Sequence, residues 1–157
     1  MEKIQENSRD VISTDLIFLD NELNNQEDVI HFIVENAEFV GYATDADELY
    51  QAVRRREEEI PTAIGYDIAI PHGKTEAVTN PFIAFLRVKR AFQWTVQSEE
   101  RVRLIFLIGV PKNSESKLHL KFISEVSKKL LDDDFRAKLL TETDKNKIFE
   151  QLSSISI

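Results

Sequence analysis

Residues 56–74, Arg-Glu-Glu-Glu-Ile-Pro-Thr-Ala-Ile-Gly-Tyr-Asp-Ile-Ala-Ile-Pro-His-Gly-Lys, carry the chain from the end of a charged helix pattern, past Pro61-Thr62, into the apolar run Ile68 to Ile70. That run ends on Pro71-His72-Gly73, which predicts a strand with a histidine at its tip. Pro71 removes a backbone donor and fixes its own φ, and Gly73 permits a conformation that a side chain would resist. Read alone, Pro-His-Gly after an apolar strand is also the composition of a tight surface turn.

Upstream, Thr44 with Asp47 three residues on has the form of a capping box, predicting a helix from about Ala46 that buries Leu49, Ala52 and Val53 and runs into the charges 54–59. Before it, Asn25 is a good N-cap for a helix carrying Val29, Ile30, Ile33, Val34 and Ala37 at helical spacing and ending near Gly41. His31 lies off that stripe and reads as a solvated surface histidine. Asp15 to Asp20 reads as a short strand, and residues 1–13, without period, as a flexible arm before one domain over 14–157.

Downstream, Phe82, Ala84, Leu86 and Val88 face one way and Ile83 and Phe85 the other, a strand covered on both sides. Trp94 falls in the connection beyond it, and Val102 to Val110, the most apolar run, predicts a central strand stopped by Pro111. Leu118, Phe122, Val126 and Leu130 then form one helical stripe with His119 at its N-terminal edge. Asp132 or Asp133, and later Thr143, are candidate caps for two short final helices. The expected fold is α/β (α+β): one domain, with a mixed central sheet covered by helices on both faces.

Composition excludes several function classes. A net charge of -8 with dispersed basic residues leaves no surface for nucleic acid. No cysteine is present, so thiol catalysis and disulfides are absent. Met1 to Asp10 lacks the apolar core of a secretory signal, and no run approaches the ~18 residues of a membrane span, so a soluble cytoplasmic protein without membrane insertion is expected. His31, His72 and His119 show no metal-ligand spacing, and neither a Gly-x-Ser-x-Gly elbow nor a Gly-rich phosphate loop occurs.

The chemistry open to His72 is nucleophilic. Neutral imidazole attacks near pH 7 and forms a covalent intermediate that a second acceptor can discharge. Phosphoryl transfer suits it, because the protein need supply little beyond in-line positioning and donors for three oxygens. An arginine, a second imidazole, a hydroxyl and backbone N–H groups would serve, with no metal or cofactor.

The segment Arg56-Glu57, Pro61-Thr62, Ile64-Gly65 and Ile68 to Lys74 closely resembles the active-site segment of type-2 enzyme IIA domains of the bacterial sugar phosphotransferase system, the fructose/mannitol family. The likeness extends from about Asp15 to Leu152 through Pro81, Trp94, Pro111, His119-Leu120-Lys121 and Leu131 to Arg136. It implies that His72 is the phosphoacceptor, through the ring nitrogen distal to the backbone. It also implies that the phosphoryl group comes from the carrier HPr and goes to an enzyme IIB component, through which the protein meets the membrane component IIC. His119 and Arg56 fall on the family's second histidine and its arginine; Thr62 and the backbone of Gly73 and Lys74 are further candidates. Without the resemblance, His119 reads equally as a helix-start histidine and Arg56 as a surface ion pair with a following glutamate. Ala63 stands where many members have glycine, and Ser98-Glu99-Glu100 where they have a glycine-containing turn. A regulatory relative of the nitrogen type and a non-covalent anion-binding module are the alternatives.

Overall fold

The most apolar run is the middle of the sheet. In the computed structural model, which describes residues 10–114 and 117–155, β6 (Arg101–Pro111) has neighbours on both sides. One side pairs antiparallel with β5 (Phe82–Gln93). The other pairs parallel with β3 (Ile68–Ala69) and, further along, with β4 (His72–Thr75). β1 (Ile17–Asn21) adds parallel to β5, and β2 (Ala63–Gly65) antiparallel to β3, giving the order β1-β5-β6-β3-β2 with β4 beside β6. A strand covered on both faces needs consecutive apolar residues, and Leu104 to Ile108 are fully buried.

Two helices cover one face. α1 (Gln26–Phe39) and α2 (Ala46–Glu59) bring Ile30, Ile33, Leu49 and Val53 into the core that holds Phe82, Ala84, Leu86 and Val88. On the other face α3 (Leu118–Lys129), α4 (Asp133–Thr141) and α5 (Lys145–Ser153) bring Phe122, Val126, Leu139 and Ile148 to Ile83, Phe85 and Phe106. The expected mixed sheet, helices on both faces and alternation along β5 are all present. Arg87, almost fully buried, ties the sheet to α4 by donating to Asp20 (3.2 Å) and to the Leu139 carbonyl (2.8 Å).

Several local expectations need correction. Asp45, one residue after Thr44, caps α2 by accepting from the Glu48 N–H (3.1 Å), because the Thr44 hydroxyl bonds the Ala77 carbonyl instead. Likewise Asp144 caps α5, not Thr143. β5 continues past Val88 to Gln93 through a register shift between Arg87 and Phe92. His31 is half-buried and stacks on Tyr50, centroids 3.7 Å apart. Of the expected N-terminal arm, residues 1–9 lie outside the described residues, as do 156–157 at the domain's end. Packing begins before residue 14: Ile12 is buried, and the Val11 carbonyl accepts from the Ile83 N–H (2.9 Å).

Candidate active site

His72 opens β4 instead of ending the strand before it. β3 stops at Ala69, and the link Ile70-Pro71 crosses to β4 with the Pro71 carbonyl accepting from the Ile108 N–H (3.0 Å). Lacking a donor costs Pro71 nothing there, since only its carbonyl enters the ladder. The turn folds the imidazole back so that Nδ1 lies 3.0 Å from the Ile70 carbonyl. A carbonyl only accepts, so Nδ1 carries the proton and Nε2 holds the lone pair.

Gly73 is required for a different reason from the one expected. Its φ is not in the left-handed region; a Cβ there would lie 3.0 Å from Val53 Cγ2 and 3.2 Å from the Val53 backbone nitrogen. The missing side chain lets α2 approach β4. The parallel register His72↔Ile108 also commits the Gly73 N–H to the sheet ladder, so it is not available to a phosphoryl group.

Three elements converge on one open cavity of about 630 Å³. α2 contributes Arg56 from its last turn, β4 contributes His72 and Lys74, and α3 contributes His119 from its first turn. The two imidazole centroids are 6.1 Å apart with planes 27° from parallel. Arg56 Nη1 donates to the Ile60 carbonyl (2.8 Å), which fixes the guanidinium with one of its five N–H groups. Ile64 and Leu120, both exposed, stand at the apolar rim.

Burial, chiefly, lowers the proton affinity of His72 from the ordinary 6.5; the charge of Arg56, and that of His119 once it is protonated in acid, lowers it further. The Ile70 hydrogen bond and the Glu57 charge oppose this without reversing it. His119 is lowered too, by burial, then Lys74, then Arg56. Its Nδ1 is buried with no hydrogen-bond partner among the described residues. At neutral pH the site therefore holds two neutral imidazoles beside two cations.

Thr62 lines the cavity, yet its hydroxyl hydrogen is committed. The Thr62 N–H donates to Glu57 Oε2 and its hydroxyl to Oε1, both at 2.7 Å. The same Oε2 accepts from Trp94 Nε1 (2.8 Å). Glu57 and Trp94 were not among the residues singled out for the site. One signal could have found Glu57: it continues the stripe Leu49, Val53 at the next i+4 step, which turns it inward while Glu58 and Glu59 stay exposed. Among the described residues no cluster of metal-binding side chains occurs, and no helix is long and apolar enough to cross a membrane.

Comparison with known proteins identifies the family and the fold. A family model described as "Phosphoenolpyruvate-dependent sugar phosphotransferase system, EIIA 2" matches residues 10–155. The fructose-specific EIIA component of Haloferax volcanii is 32% identical over 141 residues, covering 90% of this chain and 91% of that protein. A 2-O-alpha-mannosyl-D-glycerate-specific EIIABC component of Escherichia coli is 28% identical over 96% of this chain, which spans only 23% of that longer protein. Among solved structures, mannitol IIA of Escherichia coli superposes with a TM-score of 0.75 at 26% identity, covering 89% of this chain and 97% of that one. The nitrogen regulatory IIA-Ntr of Neisseria meningitidis gives a TM-score of 0.82 at 23% identity, covering 90% and 96%. With a match over nearly its whole length, this chain belongs to the type-2 EIIA family of the phosphoenolpyruvate-dependent sugar phosphotransferase system, and is a phosphotransferase.

Proposed function

We propose that this protein is a cytoplasmic phosphocarrier that takes a phosphoryl group from phosphorylated HPr onto His72 Nε2 and delivers it to an enzyme IIB component for uptake of a sugar of the fructose/mannitol class. The observation that carries the reading is the Nδ1 contact with the Ile70 carbonyl, which leaves Nε2 as the nucleophilic nitrogen of a ring kept neutral by burial. Attack forms the Nε2–P bond as the donor's N–P bond breaks, with that electron pair leaving on the donor imidazole. Nδ1 keeps its proton on the Ile70 carbonyl throughout. Arg56 and His119 stabilise charge on the equatorial oxygens, Arg56 by a planar fork that matches them. Lys74 adds positive potential at the same mouth.

The complex of mannitol IIA with phosphorylated IIB in Escherichia coli, 26% identical with a TM-score of 0.76, supports IIB as the acceptor, through which the protein would associate with membrane IIC. Fructose specificity in the Haloferax volcanii relative supports the sugar class. A nitrogen-type regulatory role rests on a likeness of fold at 23% identity and is the weaker reading.

Intact-mass spectrometry after incubation with phosphoenolpyruvate, enzyme I and HPr at mildly alkaline pH tests this. Wild-type protein should gain one phosphoryl group and His72→Ala none, while Arg56→Ala and His119→Ala should each slow transfer by about 100-fold with the fold intact. A labelled His72→Ala protein would overturn the assignment.

A further inference from the structure

Glu57 does not line the phosphoryl site in the way Arg56 does. It is 4% exposed, its carboxylate accepts three hydrogen bonds, and no cation is paired with it among the described residues. Burying a carboxylate without a counter-ion is costly, so what it holds in place matters. Two of its three donors belong to Thr62. The Thr62 carbonyl in turn accepts from the Ile70 N–H (3.1 Å), and the Ile70 carbonyl is the group that holds His72 Nδ1. The bonds run without a gap from the Trp94 indole through Glu57, Thr62 and Ile70 to the nucleophile. Glu57 also fixes the far side of Ile60-Pro61, whose near side carries the carbonyl that anchors Arg56.

We propose that Glu57 is a positioning residue for phosphoryl transfer: acting through Thr62 and Ile70 it sets the tautomer and aim of His72, and by pinning the 60–62 loop it sets the seat of Arg56. The inference rests on the phosphocarrier reading for its effect on rate, but not for its effect on the imidazole. What matters is reach. Oε2 has to stand between the Thr62 N–H and the Trp94 indole, a place that a glutamine oxygen can also fill while its amide donates to the Thr62 hydroxyl. An aspartate is shorter by about 1.5 Å and keeps the charge but not the place.

The test compares wild type, Glu57→Asp and Glu57→Gln by imidazole ¹⁵N–¹H NMR of His72, which needs no phosphoryl donor, and by single-turnover labelling from phosphorylated HPr. The Nδ1–H tautomer should dominate in wild type and Glu57→Gln, with Glu57→Asp displaced toward Nε2–H. Glu57→Asp should also lose about tenfold or more in rate at saturating donor, with the donor KM within about twofold, and Glu57→Gln should recover most of the rate. A wild-type tautomer and rate in Glu57→Asp would overturn the proposal, as would Glu57→Gln disturbed as much as Glu57→Asp. Absence of label on wild type, with the tautomer still disturbed in Glu57→Asp, overturns the phosphocarrier reading and leaves the positioning role standing.

Discussion

His72 is a base that its surroundings keep from its proton, and this has a cost in acid. Its proton affinity in the fold lies below the 6.5 of the unfolded chain. As pH falls through 6.5 the unfolded chain takes up the proton first, so stability falls from there down to the lowered folded value. His119, lowered in the same direction, adds to the loss. The urea midpoint of wild type should drop between pH 7.5 and pH 5.5, and drop less in His72→Gln; equal slopes in the two proteins would contradict the burial argument. At this scale His72 stood out by its Pro-His-Gly context, His119 and Arg56 only through the family resemblance, and the fold brings all three to one cavity. Thr62 and Gly73 were rightly placed at the cavity but wrongly given donor roles: the hydroxyl's hydrogen goes to Glu57 and the glycine N–H to the ladder. The glycine's partner is a strand further along the chain, which no local pattern reveals, whereas Glu57 is near Thr62 in sequence and only its place on the helix stripe marks it as turned inward.

Among the elements, the approach of α2 to β4 brings Arg56 close to His72. Gly73→Ala would place a methyl group at 3.0 Å from Val53 Cγ2 and 3.2 Å from a backbone nitrogen that cannot turn away. The expected cost is about 1–3 kcal/mol, read as a lower urea midpoint with unchanged slope, together with slower labelling as the helix is pushed back. Wild-type stability in this variant would mean that α2 yields freely. Helix and strand cores were readable from period alone, and their ends were not. Thr44 and Asp45 are adjacent cap candidates, and the choice was made by Ala77, brought up beside Thr44 by the Ala43–Val78 bridge. The continuation of β5 beyond Val88 was hidden because Lys89 and Arg90 are exposed and the register shifts there.

For the whole molecule, the site lies where the two helical layers meet the sheet: Arg56 comes from one face, His119 from the other and His72 from between them. A carrier must offer one imidazole to two partners in turn, which favours a small interface that forms and dissolves quickly. Leu120, 51% exposed at the rim beside His119, is the side chain we propose for such an interface. Leu120→Asp should raise the KM for phosphorylated HPr about tenfold while leaving the saturating rate and melting temperature near wild type; an unchanged KM would remove this rim from the docking surface. The topology has one more consequence, for biosynthesis. Among the described residues the sheet partner of β4 is β6, which follows it in the chain. On the ribosome, His72 is therefore polymerised well before the strand that holds it in place exists, so a nascent chain cannot present this imidazole in its folded setting until residues 101–111 have been added and have left the exit tunnel.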